Sequence, residues 1–582
     1  MICLKKYAKY LFLFFCVPMG TMAQGQGIGN EQVNIVQEYK PVITPAEKIT
    51  SNPDYRDTIP PAPALKYGFV DRKPEYRFRP DTIKAARMRG EPLSKIFPGL
   101  LRIGGGNYNT FFADVKYLSQ RSKTWQYGME AKHLSSSYMA LDYGRAGFSD
   151  NRVQAHGKYI SDKYSISSAL SYAREANRFY SYTIPTLPTD FNAEKDRNEF
   201  HYNILEWKAA LRGNVIDSSS LKHHEAFMYR RTWGSNGLHE NQFDFSTRLE
   251  KSMGKDLYGA TFSVSHFSTG GISVYRPNMI DFASASPKEL IAQLNPSVQL
   301  RGKNLVAELG IKAFLAFNEG RFRLAPDVSV RYKVFQDYLN AYLFLGGGLA
   351  RNSLHSIITD NPFLGYTNNI SNAYTPIDAS LGLKGKFVHH FYWDVSVRYR
   401  MVQNMLLFTG YSQLVGTDPS LSAIYFYPVN RFTTVLDNVS RSSIQLMLHY
   451  KGFKGFDIGI RAAYHQFTTE TQSRPWYQPD AEGNLWISYV HNEKADVRFD
   501  LIYRGNTYGT TNNISQFQGI TITQNSFLIK AYPDINFTFN YHHNKRLGFF
   551  ARACNIIGAR YQRWLDFPTQ SFNIQAGLQF VY

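Results

Sequence analysis

Apolar and polar residues alternate along most of the chain, from about residue 98 to the C-terminus. The stretch 243–250 reads FDFSTRLE, and similar stretches occur at 393–401, 456–464 and 495–503. Because successive side chains of a β-strand point to opposite faces, each stretch predicts a strand with one apolar face and one charged face.

Two architectures accommodate such strands. A soluble sandwich buries the apolar faces and exposes the charged faces to water. A transmembrane barrel instead turns the apolar faces to lipid, lines its lumen with polar side chains and pairs every backbone group within the bilayer. The charged faces carry both signs, the strands are numerous and no second core is evident, so the pattern favours the barrel. We therefore predict an all-β fold, a transmembrane antiparallel β-barrel of about 22 strands, with roughly 16 to 22 compatible with the pattern.

The connections between the predicted strands alternate between short and long, counted back from Tyr582. Barrels of this kind have short periplasmic turns and long outer loops, so the alternation places both termini on the periplasmic side. Tight turns near Gly106 and Glu319 interrupt the alternation where long loops are expected. The predicted long outer loops are 176–199, 269–293, 350–376, 410–436, 468–483 and 505–530.

The first 97 residues differ from the barrel region. Residues 1–23 combine three lysines, a short apolar run and small residues before Gln24, which predicts a signal peptide; the apolar run is too short for a membrane anchor. Residues 24–97 are rich in Pro and charge and show no sustained period. They predict an extended N-terminal arm in the periplasm or the lumen, or alternatively a disordered leader. The barrel itself is predicted for residues 98–582.

The composition agrees with an exported barrel. Aromatic residues make up 15% of the chain, with 40 Tyr and 42 Phe, as in barrels with aromatic girdles at the membrane interfaces. The formal net charge is +19, but the Lys and Arg residues form no long run, so we expect no nucleic-acid binding. Cys554 is the single cysteine after the predicted signal peptide, which excludes an internal disulfide framework and a cysteine-rich metal site.

The sequence carries no recognisable motif for catalysis. It has no G-x-S-x-G, no ordered Ser, His and Asp triad and no metal-binding signature, so we predict no enzyme activity, no catalytic residue, no metal and no cofactor. Gly104, Gly105 and Gly106 invite comparison with a phosphate-binding loop, but they lead into a predicted strand rather than a helix. A turn or bulge is the better interpretation of these glycines.

Charged residues of both signs alternate on the predicted inner faces. They form either an ion-pair lattice that stiffens a wide barrel, or a polar path or ligand surface, and the pattern leaves both open. The lumen-lining candidates are Asp244, Arg248, Glu250, Asp394, Arg398, Arg400, Asp457, Arg461, Asp496, Arg498 and Asp500.

Two neighbouring aromatic residues, Trp476 and Tyr477, fall in the predicted outer loop 468–483. Exposed aromatic rings in such a loop can stack on sugars or contact a protein partner, which makes both residues outer-loop ligand candidates. The alternative is that they lie at the membrane interface.

The last 28 residues, NIIGARYQRWLDFPTQSFNIQAGLQFVY, resemble the end of TonB-dependent outer-membrane receptors. The resemblance implies a 22-stranded barrel and, in Phe580 and Tyr582, the aromatic assembly signal that the barrel-assembly machinery reads. The residues that carry the resemblance are Asn555, Tyr561, Trp564, Pro568 and Tyr582.

Residues 31–150 resemble more specifically a group of Bacteroidota outer-membrane barrels that are labelled TonB-dependent receptors, through VNIVQEYKPVITPAEKI, AARMRGEPL and GNYNTFFADV. Those receptors carry a folded plug of well over a hundred residues, whereas 74 residues, 24–97, precede the first strand predicted here. The comparison implies a receptor-like barrel without a full plug domain. Residues 31–36, EQVNIV, are similar to the energy-coupling box that binds TonB, and equally to a strand that docks in the barrel.

Two functions follow from these expectations. The first is passage or uptake of a solute through an outer-membrane barrel that resembles TonB-dependent receptors. The second is a non-transporting scaffold barrel that binds other envelope proteins. The expected location is the outer membrane of a Gram-negative bacterium. The expected partners are outer-membrane lipid, the barrel-assembly machinery and either TonB or other envelope proteins, with no nucleic acid.

Overall fold

The computed structural model describes Gly68 and residues 97–582, except for 120–121, 141–143, 181–198, 215–219, 277–278, 286, 336–337, 366–369, 389, 419–422, 430, 453–454, 493 and 517–519. The predicted signal peptide and nearly all of the predicted arm lie outside the described residues, so both stay predictions.

The described part of the chain folds into 29 strands and one short helix. The strands are β1 (Gly99–Gly106), β2 (Thr110–Leu118), β3 (Trp125–Ala140), β4 (Gly144–Ile160), β5 (Tyr164–Arg178), β6 (Glu199–Gly213), β7 (Lys222–Gly234), β8 (His239–Met253), β9 (Asp256–Gly270), β10 (Ile272–Arg276), β11 (Met279–Ala285), β12 (Lys288–Arg301), β13 (Leu305–Ala316), β14 (Arg321–Phe335), β15 (Leu339–Arg351), β16 (Asn372–Val388), β17 (Phe391–Asp418), β18 (Ala423–Val429), β19 (Arg431–Tyr450), β20 (Phe456–Thr469), β21 (Ala481–His491), β22 (Ala495–Arg504), β23 (Thr507–Gln516), β24 (Ile520–Ile529), β25 (Tyr532–His542), β26 (Leu547–Cys554), β27 (Gln562–Trp564), β28 (Phe567–Pro568) and β29 (Asn573–Val581). The helix is α1 (Leu354–Asp360).

Twenty-two of these strands form one closed antiparallel ring. The ring runs in chain order through β1–β9, β12–β17, β19–β22, β25, β26 and β29, and β29 pairs with β1 to close it. Across the closing pair, Leu100 is paired with Val581 and Gly106 with Gln575. The prediction of an all-β barrel of about 22 strands is therefore confirmed.

The two ends of the ring differ in their connections. At the end that holds Gly99 and Tyr582, the longest connection is 214–221. The connections at the opposite end contain α1, the hairpins β10–β11 and β27–β28, and the additional strands β18, β23 and β24. The tight turns predicted near Gly106 and Glu319 are present at this second end. Because barrels have short periplasmic turns and long outer loops, we refer to the first end as periplasmic and to the second as the outer end.

The outside of the ring is an apolar belt. Phe243, Val397 and Leu578 are typical members and are exposed by 43%, 51% and 53%. Their sequence neighbours point to the other side of the sheet, as the two-residue period of a strand requires. So much exposed apolar surface is stable only against lipid, and the ring therefore spans a membrane. In the residues that the structure describes, no helix is long and apolar enough to cross a membrane.

Glycines allow the closing strands to approach each other. Gly104 is paired with Gly577, and the ring of Phe550 lies beside both. A Cβ atom on Gly577 would lie 2.2 Å from the carbonyl oxygen of Ile103, and one on Gly99 would lie 2.1 Å from the ring of Tyr582.

The prediction of a turn or bulge at Gly104–Gly106 is wrong, because these residues end β1 as regular strand and the turn follows at 107–109.

We expect Gly577→Ala to destabilise closure of the barrel, because the new Cβ would meet the β1 backbone on one side and Phe550 on the other. Overpacking of this kind costs roughly 1–3 kcal/mol. The urea midpoint, measured by heat-modifiable migration in SDS gels, should fall. Gly157→Ala in β4 is the matched control, since a Cβ at Gly157 meets nothing within 4 Å. An equal loss in both variants would contradict this account of the seam.

Candidate functional site

The long connections at the outer end pack together into one apolar cluster, which we name the loop core. It combines residues from α1, from the β20–β21 and β26–β29 connections and from the outer ends of several ring strands. Its members are Phe179, Phe200, Tyr202, Leu238, Leu354, Ile357, Ile358, Leu364, Leu407, Phe408, Phe432, Val439, Trp476, Tyr477, Ile529, Trp564 and Phe567.

The loop core crosses the full width of the barrel. Arg431, at the start of β19, lies over the ring of Phe179, which directly follows β5, with 4.6 Å from the guanidinium carbon to the ring centroid. In the ring order, β5 is the fifth strand and β19 the sixteenth of 22, so the two strands stand on opposite sides. From β6, the hydroxyl of Tyr202 donates to the carbonyl of Leu364 at 3.2 Å. The loops therefore bridge the outer mouth of the lumen.

The helix α1 is held against the inner wall at its first turn. Ser353 caps the helix by accepting a hydrogen bond from the amide of Ser356 at 3.1 Å. The amide of Leu354 donates to the carboxylate of Glu240 on β8 at 3.0 Å, and Glu240 is only 1% exposed. Thr269 donates to the same carboxylate at 2.9 Å, so these buried oxygens are well supplied with donors.

A second buried carboxylate, Asp437, fixes the β20–β21 connection. It accepts hydrogen bonds from the amide of Thr471 at 2.9 Å, from the hydroxyl of Thr471 at 2.8 Å and from the amide of Gln472 at 3.0 Å. The side chain of Gln472 in turn accepts from the indole of Trp476 at 2.9 Å. This chain of contacts turns the loop inward and carries the aromatic residues into the loop core.

The two outer-loop ligand candidates are consequently buried. Trp476 is 1% exposed and Tyr477 is 3% exposed, and Tyr477 packs against Trp564 at 4.9 Å between ring centroids. The expectation that these rings are exposed is wrong, because other outer loops fold over them. Burial also raises the pKa of the Tyr477 hydroxyl. In this arrangement both rings stabilise the loop core rather than present a surface for stacking.

The predicted lumen residues of β8 share a face with Glu240. Asp244, Arg248 and Glu250 follow it at even intervals along the strand, so they line the same inner wall that α1 contacts. Arg248 donates to Glu250 at 2.8 Å, and Gln242 donates to Asp244 at 2.6 Å. This part of the predicted set is linked by contacts along one strand.

Further round the ring, three of the predicted arginines lie beside carboxylates. Arg398 donates to Asp378 on β16 at 2.6 Å, and Arg400 lies 3.7 Å from the same carboxylate. Arg498 donates to Asp500 at 2.7 Å. Asp378 was not among the predicted residues, because its stretch of β16 has few charges and the pairing with β17 is visible only in the register.

The remaining predicted carboxylates are bound by neutral or aromatic groups. Asp394 accepts from the hydroxyl of Tyr342 at 2.6 Å, and Asp496 accepts from Asn540 at 2.7 Å. Asp457 accepts from the indole of Trp486 at 2.9 Å. Arg461 lies over that same indole, 5.6 Å from its centroid.

A cavity of about 670 Å³ lies on this wall, beneath the β26–β29 connection. Tyr561, from that connection, donates to Asp534 at 2.7 Å and stacks on Tyr532 at 3.8 Å between centroids. Of the predicted residues, the cavity brings together Asp394 and Arg461. The other charged residues that line it are Glu482, Arg504, Asp534 and Arg563.

The sequence pattern missed these four residues for two reasons. Arg563 belongs to an outer loop whose path the alternation of strand residues does not describe. Glu482, Arg504 and Asp534 lie at the outer ends of β21, β22 and β25, just beyond the strongest part of the alternation. Asp360 of α1 and Arg563 approach to 3.3 Å, so the roof of the cavity also links two loops.

The charged face and the loop core now allow comparison with known proteins. No protein-family model matches the sequence, and no curated protein matches it either.

Solved structures share the fold. The siderophore receptor PirA from Acinetobacter baumannii matches with a TM-score of 0.64 and 9% identity, over 84% of this chain and 81% of that chain. For the FrpB iron transporter from Neisseria meningitidis the TM-score is 0.61 at 9% identity, over 84% and 82%. For the ferric-catecholate import receptor Fiu from E. coli K12 it is 0.59 at 9% identity, again over 84% and 82%. The chain therefore has the barrel fold of outer-membrane receptors.

The pH should control how firmly α1 is docked. Burial and the guanidinium of Arg230 lower the pKa of His355 to about 4, against about 6.5 in an exposed histidine. Because the pKa is lower in the docked state, the docked helix is fully stable above about pH 6.5 and loses stability as the pH falls towards 4. The hydrogen-exchange rates of the amides in 354–361, corrected for the intrinsic effect of pH, should rise as the pH falls over this interval.

The matched variant is His355→Gln, which removes the titrating ring. We expect the exchange rates of this variant, corrected for the intrinsic effect of pH, to be nearly flat between pH 7 and pH 4. The same acceleration in both proteins would show that another group controls the docking.

Proposed function

We propose that this chain is an outer-membrane barrel that takes up a polar or charged solute in the manner of a TonB-dependent receptor. The observation that carries the proposal is a wide lumen with a charged wall beneath an outer mouth that loops bridge. A 22-stranded ring is wide enough to pass or hold a solute. The names of the structural neighbours, a siderophore receptor and iron import proteins, support the same class of function.

The wall contacts favour a role beyond stiffening. Arg398 and Arg498 hold carboxylates at hydrogen-bond distance, as an ion-pair lattice requires. Around the cavity, however, Asp394 and Asp534 are bound by tyrosine hydroxyls rather than by the arginines there. The guanidinium of Arg461 rests on an aromatic ring. We infer that this wall contributes a polar surface that a solute contacts on its way through the lumen.

The loop core makes gating part of the proposal. A solute that enters from outside meets the cluster of Trp476, Tyr477, Trp564 and Phe567 before it reaches the charged wall. Uptake therefore requires the loops to separate. Since the loop core is apolar, its opening exposes hydrophobic surface and is unfavourable unless contacts with the solute or a partner compensate. An exposed ion pair, Asp360 with Arg563, links two of the loops outside the cluster.

We further propose that residues 24–97 form a periplasmic or luminal arm that replaces a full plug, and that residues 31–36 bind TonB. Phe580 and Tyr582 are proposed as the assembly signal for the barrel-assembly machinery. The location of both rings supports this, because they are exposed by 42% and 46% at the periplasmic end of the apolar belt. The sequence resemblance supports an origin in the Bacteroidota.

Conductance in planar bilayers should reveal what blocks the lumen. We expect little current from the full mature chain. We expect clear current after deletion of residues 24–97 combined with Trp476→Ala and Trp564→Ala, which remove two buried rings of the loop core. Deletion and loop variants measured separately assign the block to the arm or to the loops. Val397→Ala on the lipid face is the control, and it should not change the current.

The competing function is a non-transporting scaffold barrel. It predicts no current from any of these variants, because a scaffold needs no continuous path through the lumen. That result, obtained with correctly folded barrels, would contradict the transport proposal.

Energy coupling is tested separately. Purified TonB should be retained by the full chain and lost when residues 31–36 are replaced by a Gly and Ser sequence of the same length. Retention by both chains would show that TonB binds outside residues 31–36, and retention by neither would remove TonB from the mechanism; the conductance result stands apart from both.

A further inference from the structure

Four arginines lie on the lipid side of the barrel, where charged residues are otherwise rare. They are Arg145 on β4, Arg174 and Arg178 on β5 and Arg231 on β7. We name them the arginine patch.

The strand register shows that the patch faces outward. Arg174 follows Tyr172 by two residues, and Tyr172 belongs to the apolar belt with 39% exposure. Arg231 follows Tyr229 by two residues, and Tyr229 is paired with the exposed Trp207. Because side chains two residues apart point to the same face, both arginines project from the outer surface of the ring.

The patch lies on the outer-end side of the belt. Along β5 the outward residues are Leu170, Tyr172, Arg174 and Arg178 in order towards the outer loops. Two residues along a strand rise by roughly 7 Å, so Arg174 lies about 7 Å and Arg178 about 20 Å beyond Tyr172 in the direction of the outer loops. Both arginines therefore lie beyond the exposed apolar residues Leu170 and Tyr172, towards the outer loops.

Within the described part of the chain, the charges of the patch are poorly neutralised. Among the described residues, Arg178 pairs with Glu199 at 2.8 Å. Arg231 lies over the ring of Trp233 at 5.6 Å, a contact that leaves its charge uncompensated. Four arginines against one glutamate give an excess of positive charge.

A small cavity completes the surface. It has a volume of about 210 Å³, and its lining includes Arg145, Arg178 and Glu199 together with Ser137 and Ser149. Guanidinium and hydroxyl donors on one groove of this size suit an oxyanion such as a phosphate group.

The ring strands that follow β19 have no counterpart of the patch in the described residues. The outward rows of β20, β22, β25, β26 and β29 alternate in register with the apolar belt and contain no Lys, Arg, Asp or Glu in the described residues. A general ring of interfacial arginines would surround the barrel. The patch is instead confined to β4–β7.

We propose that the arginine patch binds the phosphate-bearing headgroup of an outer-leaflet lipid. The acyl chains of that lipid lie on the apolar belt below, over Leu170, Tyr172 and Trp207, and its phosphate reaches the guanidiniums above them. This inference is independent of the solute that the lumen passes, because the patch and the lumen wall are on opposite faces of the sheet.

The test compares two lipids with the same acyl chains. The full mature chain in neutral detergent is titrated with dioleoyl phosphatidic acid or with dioleoylglycerol, which lacks the phosphate, and bound lipid is counted by native mass spectrometry. We expect phosphatidic acid to bind at least tenfold more tightly. The variant with Arg145→Gln, Arg174→Gln, Arg178→Gln and Arg231→Gln should lose this preference.

Lys251→Gln is the matched control. Lys251 also faces outward, on β8, but at the periplasmic end of the strand, so the control should keep the preference. Heat-modifiable migration of each variant confirms that the barrel is closed.

Equal binding of the two lipids by the unchanged chain, or a preference that survives in the fourfold variant, overturns the proposal. Displacement of the lipid by an equal concentration of inorganic phosphate overturns it too, since the site would then be one for free anions.

Discussion

Closure of the backbone hydrogen bonds is the constraint on which this structure depends. In a bilayer no water satisfies a free strand edge, so the first and last strands must pair. Here the pairing of β1 with β29 relies on glycine, because Gly104 and Gly577 let the two backbones approach beside the ring of Phe550. The C-terminal tyrosine continues the same fit, with its ring over Gly99.

Closure also divides the side chains into two environments that do not mix. Outward positions are mostly apolar, with the arginine patch towards the outer loops as the main charged exception. Inward positions line a wide lumen, where carboxylates are held by arginine, tyrosine or tryptophan side chains of nearby strands. The same rule that excludes charge from the belt therefore makes both a charged wall and a charged patch informative about what the barrel binds.

The outer loops add a second, smaller core to a fold that needs none for its stability. Two buried carboxylates, Glu240 and Asp437, accept hydrogen bonds from loop amides and fix where the loops enter. The loop core then bridges the diameter of the ring, as the contact between the Arg431 guanidinium and the ring of Phe179 shows. This arrangement bridges the outer mouth with loops that are attached to the strands of the ring.

The alternation of apolar and polar residues alone determined the barrel, its faces and its approximate strand number. Successive side chains of a strand point to opposite faces, and a bilayer accommodates a sheet only when it is closed. It also identified Arg398 and Asp394 as inward residues. It did not identify Asp378 as the partner of Arg398, nor Arg563 as part of the cavity, and it placed Trp476 and Tyr477 on the surface. These features depend on contacts between segments far apart in the chain. Only the tertiary structure decided them, since loop packing and cross-strand register leave no periodic trace in the sequence.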